Sequence, residues 1–231
     1  MRLITHADDE MVRTINLAMR MSNWKWLLDY LHDRYRSNRA NAEASFSYAV
    51  CCLALTVYAD SDLERHRYFV EVLESLQDTV NSDPEHWLAR YYRAMVRLLI
   101  PPGYSEVANY IFPEGYGEGE AIEDMKVLIQ KQGAQALKPP YFACPYIVMA
   151  HYYMSHGDQQ TALQIFESAV EKIPPGPVQY LGSVLCQPFV QFYGQLRRAH
   201  LNGYAERLKQ MMLALFPQEE AISLALKVDT R

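Results

Sequence analysis

The residues able to carry chemistry in this 231-residue chain are thinly spread. Seven histidines stand at His6, His32, His66, His86, His151, His156 and His200. His151 and His156 are five apart, whereas two ligands on one helical face need a four-residue step, so they do not form a two-histidine metal site. His6 with Asp8, Asp9 and Glu10 offers cation ligands, yet short acids at this density mark a helix start, where they meet the positive end of the dipole. His32-Asp33-Arg34-Tyr35 reads as the polar face of an amphipathic helix. Cys51, Cys52, Cys144 and Cys186 include no C-x-x-C pair and no histidine at zinc-finger spacing. Cys51 and Cys52 lie inside Ala49-Val50-Cys51-Cys52-Leu53-Ala54-Leu55 and are expected to be small buried hydrophobes with reduced thiols.

Two segments imitate sites. Glu114-Gly115-Tyr116-Gly117-Glu118-Gly119-Glu120 has the glycines of a phosphate loop, but no Walker lysine, no preceding strand, and glutamates that repel an anion. Glu118, Glu120, Glu123 and Asp124 form the densest acidic cluster. Paired carboxylates can act as acid and base, but at a glycine-rich helix start they are expected to stay ionised and to solubilise the surface or dock a basic partner. G-x-S-x-G and H-E-x-x-H are absent, and no cysteine has a motif-supported histidine. The expectation is therefore no catalytic residue, no metal, no cofactor and no enzymatic activity.

Composition narrows the class further. Half of the residues are hydrophobic and 21% are charged, which suits one or two domains with a substantial core. Twenty-two basic against 27 acidic residues give a formal charge of −5, which argues against a nucleic-acid or anionic-membrane partner. Apolar stretches are too short to cross a bilayer, and Asp8, Asp9 and Glu10 interrupt any leader-like start, so a cytoplasmic protein is expected.

The elements that must position these residues are helices. Apolar residues recur with helical period at Met11, Ile15 and Met19, at Trp24, Leu27, Leu31 and Tyr35, and at Phe69, Val72, Leu76 and Val80. The segment 41–58 is apolar on most sides and should be buried between neighbours. Asp83-Pro84-Glu85 opens a fifth helix through Trp87, Tyr91 and Leu98, with proline in its first turn. Residues 101–117 form an ordered loop, after which the helical period resumes to about Leu226. No alternating β pattern occurs. The chain is expected to be all-α, an irregular superhelix of antiparallel hairpins with ten to twelve helices.

One stretch repeats a recognisable scheme. Tyr146–Pro174 carries an aromatic at Tyr146, small Ala150 at the helix crossing, Tyr153, turn Gly157, small Ala162, Phe166, small Ala169 and closing Pro174. Alanines permit close approach, Gly157 permits a left-handed turn, and Pro174 ends the second helix. This stretch resembles a tetratricopeptide repeat. Residues 186–217 follow the scheme loosely through Phe189, Phe192, Ala205, Met212 and Pro217, at a spacing of 43 rather than 34, and residues 87–128 do so around an insertion.

The resemblance implies a single α-solenoid domain over 1–231. It would comprise N-terminal hairpins over 1–82, a degenerate repeat over 83–138 with the 101–117 insertion, the best hairpin over 139–176, and a C-terminal repeat with a capping helix over 177–231. It also implies a concave surface lined by first helices that binds a peptide or helix of another protein. On the best hairpin that surface would present Cys144, Ile147, His151, Met154 and Ser155. A carboxylate clamp is not expected, since Ile147 and His151 stand where lysine and asparagine would be needed. Arg90, Arg93 and Arg97, with Arg197 and Arg198, are candidates to hold an acidic peptide. The resulting expectation is a non-catalytic adaptor, chaperone or assembly factor. A self-assembling structural or regulatory protein is the alternative, and an all-α enzyme with a site near 101–117 is the third reading.

Overall fold

Helix starts follow the side chains able to accept from an unpaired backbone N–H, and they set the element order. The structure, a computed structural model, describes residues 1–21, 24–99 and 116–228. Thr5 and Asp8 form a reciprocal capping box that starts α1 (His6–Arg20), with Thr5 N donating to Asp8 Oδ2 at 2.8 Å, so the acids near His6 serve the helix start. After α2 (Trp24–Ser37), Asn41 caps α3 (Ala42–Tyr58) and Ser61 caps α4 (Asp62–Ser82). Next come α5 (Trp87–Leu98) and α6 (Glu118–Gly133), then a 3-10 turn at Pro140–Phe142. The chain continues through α7 (Ala143–Ser155), α8 (Gln159–Lys172), a single helical turn at Gly182–Leu185, α9 (Gln187–Arg198), α10 (Asn202–Leu215) and α11 (Glu220–Val228). No strand occurs among the described residues, so the fold is all-α. An isolated bridge joins Arg2 to His86. Apart from Tyr116 and Gly117, the expected 101–117 loop lies outside the described residues.

The described residues divide into two units, 1–97 with 116–124, and 98–99 with 125–228. In the first, connections of three or four residues make successive helices antiparallel neighbours. Tyr35 on α2 donates to Asp78 on α4 at 2.7 Å, and Tyr48 on α3 donates to Glu71 on α4 at 3.2 Å. Ser47 on α3 meets Met11 on α1 at a similar distance from each helix start. Thus α1 and α3 run one way while α2 and α4 run the other. α3 packs against α1, α2 and α4 and buries Phe46, Ala49, Cys51, Cys52 and Leu55, as its all-round apolar sequence predicts. Phe46 and Leu55, the large side chains among them, contribute about 1.5–3 kcal/mol each.

One boundary differs from the sequence reading. α5 begins at Trp87, not beside Pro84, because the preceding residues are held elsewhere. Arg2 N donates to Glu85 O at 2.7 Å and Trp87 N donates to Arg2 O at 3.3 Å. His86 then acts as the cap, its Nδ1 accepting from Ala89 N at 3.2 Å.

The second unit holds two matching hairpins, α7–α8 and α9–α10, offset by 43 residues. Their turns use the same hydrogen bonds. Asp158 N donates to Tyr153 O and Leu201 N to Leu196 O, both at 2.9 Å, while Gly157 N donates to Met154 O and His200 N to Arg197 O. Gly157 and His200 both take positive φ, +81° and +58°. Ala150, Ala162, Phe166 and Ala169 have no exposed surface, so the small and bulky positions picked out by the sequence lie inside the first hairpin. Helices α7 and α9 also pack directly on each other.

Candidate functional site

In the first unit, the arginines and acids that the sequence offered as separate surfaces meet each other. Arg90, Arg93 and Arg97 recur on one face of α5, and α6 begins opposite with Glu118 and Asp124. Arg90 Nη1 lies 2.5 Å from Asp124 Oδ1, and Arg93 reaches Asp124 Oδ2 through Nε at 2.9 Å and Nη2 at 2.6 Å. Tyr116 donates to the same oxygen at 2.8 Å, and Arg93 Nη1 donates to Gln77 Oε1 at 2.6 Å. Arg97 Nη1 lies 3.4 Å from Glu118 Oε1. Arg93, Arg97 and Asp124 are all buried, and the Arg93 guanidinium sits 4.7 Å from the Tyr116 ring centroid. Burial, the Asp124 charge and the hydrogen bond to it push the Tyr116 hydroxyl up, while Arg93 opposes them. Chemically this is a buried cluster of opposed charges: in this arrangement Arg93 and Arg97 present almost no surface to an acidic peptide. Glu120 and Glu123 stay exposed, and Glu120 accepts from Gly117 N at 2.8 Å.

In the second unit, α7 brings His151 and Ser155 against Gln195 of α9. Gln195 Nε2 donates to Ser155 Oγ at 2.6 Å, so its Oε1 is the oxygen facing His151 Nδ1, also at 2.6 Å. That contact places the imidazole proton on Nδ1. Ser155 donates its own proton to the His151 carbonyl at 2.9 Å, one turn back. His151 and Ser155 therefore do not form a nucleophile–base pair, since the amide stands between them. Burial pulls the His151 pKa down, while the Gln195 acceptor offsets part of the fall. Among the other expected site residues, Ile147 has no exposed surface, Met154 is half-buried, and Arg197 is exposed with Nη1 donating to Asn202 Oδ1 at 2.7 Å. Ile147 and Cys144 face the interior because α7 lies against α9.

The sequence reading passed over a groove of about 360 Å³ between α8 and α10. Val170, Ile173, Pro174, Met211 and Ala214 make its apolar wall, and Arg207 and Gln210 stand at it. Arg207 makes a two-pronged ion pair with Glu167, one arm at 2.6 Å, and lies over the Phe166 ring. The repeat itself carried the signal: Ile173-Pro174 closes one second helix and Met211 and Ala214 line the next, so two second helices must leave a furrow between them.

All four cysteines are buried and outside any disulfide, and burial pushes the Cys51 thiol up to about 12 and Cys186 up to about 11. Among the described residues no group of three or more His, Cys, Asp or Glu could hold a metal ion. No described helix is long and apolar enough to cross a membrane. Comparison with protein-family models, with curated proteins and with solved structures returns no match for this chain.

Proposed function

We propose that this chain is a non-catalytic protein-interaction module, a cytoplasmic adaptor, chaperone or assembly factor, whose second unit is a pair of tetratricopeptide-like hairpins. The matched turns 43 residues apart support the repeat reading. The observation that carries the binding reading is the open furrow walled by Val170, Ile173, Pro174, Met211 and Ala214. An apolar wall of this size with polar groups at its margin accepts the apolar face of a short helix or peptide. Ligands of such repeats were expected on the first helices, but Ile147 has no exposed surface on a helix that packs against α9. We therefore assign the partner segment to the second-helix furrow, leaving His151 and Met154 at a separate surface.

The test compares proteins captured from native lysate by wild type, by Met211→Glu and by His151→Ala/Met154→Ala, followed by binding of the purified partner. The expected result is at least tenfold weaker binding by Met211→Glu, with the double variant close to wild type. Equal binding by wild type and Met211→Glu overturns the furrow assignment. Loss only in the double variant moves the ligand to the first helices.

A further inference from the structure

Seven of the ten large apolar side chains exposed among the described residues belong to the first unit. They are not scattered. Because α1 and α3 run opposite to α2 and α4, the ends of α1 and α3 and the starts of α2 and α4 share one end of that unit. Leu17 and Met21 close α1, Trp26 opens α2, Val57 and Tyr58 close α3, and Leu63 opens α4, with Tyr30 stacked on Trp26 one turn along at 5.7 Å. Met21, Trp26, Val57 and Leu63 expose between 65% and 81% of their surface. Packed helices lie about 8–10 Å apart, so these helix ends fall within one footprint. At roughly 100 Å² for each exposed side chain, the seven apolar residues alone reach roughly 700 Å². That matches the area each partner contributes to a standard stable interface.

Its rim is bipolar. Exposed Arg20 and Lys25 flank the α1–α2 side, while Asp60, Asp62 and Glu64 flank the α3–α4 side. Asp62 is 99% exposed even though it meets Arg65 at 2.6 Å. A nucleic acid or anionic bilayer would be repelled by the acidic edge. A two-fold axis through the patch instead lays the basic edge of one copy over the acidic edge of the other, twice, with the apolar centre closed between them. We propose that this helix-end surface is a self-association interface that binds a second copy of this chain. It lies in a different unit from the furrow assigned to a partner protein, so the two readings fail separately.

Sedimentation equilibrium on the full chain, from about 1 to about 200 µM, brackets the weaker affinities such interfaces have. Wild type is expected to pass from monomer to dimer. Arg20→Glu/Lys25→Glu and Asp60→Lys/Asp62→Lys should each weaken association at least tenfold, and the chain carrying all four changes should return to within about threefold of wild type. Trp26→Glu should abolish association with an unchanged thermal midpoint, since the ring is exposed, and Met211→Glu should dimerise like wild type. A wild type that stays monomeric throughout overturns the proposal. Charge-reversed pairs that associate like wild type overturn it too, as does a fourfold variant with no recovery.

Discussion

Acidification should destabilise the first unit through one side chain, His86. Its Nδ1 accepts from Ala89 N at 3.2 Å, so in the neutral ring the proton sits on Nε2, which is buried with no hydrogen-bond partner among the described residues. The ring packs on Phe46 with centroids 4.5 Å apart and is 2% exposed. Burial lowers its pKa from 6.5 to about 4; Arg2 adds to the penalty, and Asp8 and Asp83 offset part of it. The unfolded chain therefore takes up a proton below about pH 6.5 that the folded chain refuses until about pH 4. Stability from the neutral ring is complete above pH 6.5 and is lost as pH falls through this window. The loss reaches about 2 kcal/mol at pH 5 and about 3 kcal/mol at pH 4. His86→Asn removes the titration but keeps an oxygen able to cap Ala89 N. Thermal unfolding followed by circular dichroism between pH 7.5 and 5 should show wild type losing roughly 4–8 °C more than His86→Asn. The other six histidines contribute to both curves, so the difference isolates His86. Parallel curves for the two proteins would refute the assignment of a buried neutral cap.

Other substitutions probe the remaining polar groups and turns. Asp124→Asn strands the buried Arg93 guanidinium and should cost about 3–5 kcal/mol in urea unfolding, whereas Tyr116→Phe, which removes one donor, should cost about 1 kcal/mol. Gln195→Leu takes the acceptor from His151 Nδ1, so the His151 resonance in an NMR titration should shift its midpoint to lower pH than in wild type. The two matched turns predict opposite signs. Gly157→Ala places a Cβ at φ +81°, where no neighbouring atom crowds it, and should cost about 1 kcal/mol of backbone strain alone. His200→Gly relieves φ +58° and should stabilise by up to about 1 kcal/mol, both read from thermal midpoints. The four buried thiols should react with a thiol reagent only as fast as the fold opens, with all four released at once in denaturant.

Much of the fold was legible because helical period and capping chemistry point the same way. Asn41 and Ser61 each place an oxygen on a free N–H three residues on, at 3.1 and 3.2 Å, and the first turn follows. The 41–58 segment was readable as buried since apolar residues on every side of a helix leave it no solvent face. The start of α5 was not legible. Pro84 is compatible with a first helical turn, and what displaces the start to Trp87 is a bridge to Arg2, more than eighty residues earlier in the chain. No local rule encodes such a pairing.

The internal pairing of the charged residues was not legible in the sequence for a different reason, and Asp124 shows why. Arg90, Arg93 and Arg97 stand at helical spacing, and Glu118 to Asp124 stand at a helix start; each set taken alone is an ordinary solvated face. Yet Asp124 adjoins Met125 on the stripe that also holds Ala121 and Leu128, all three fully buried or nearly so. A carboxylate on a core stripe cannot remain ionised without partners, and the partners able to supply charge from a neighbouring helix are arginines at matching spacing. Periodicity could have marked Asp124 as buried, and charge balance could have named its mates. A charged residue that falls in phase with a helix's apolar stripe is better read as half of an internal pair than as part of a docking surface, and Arg93, with three hydrogen bonds to Asp124 and Gln77, is the other half.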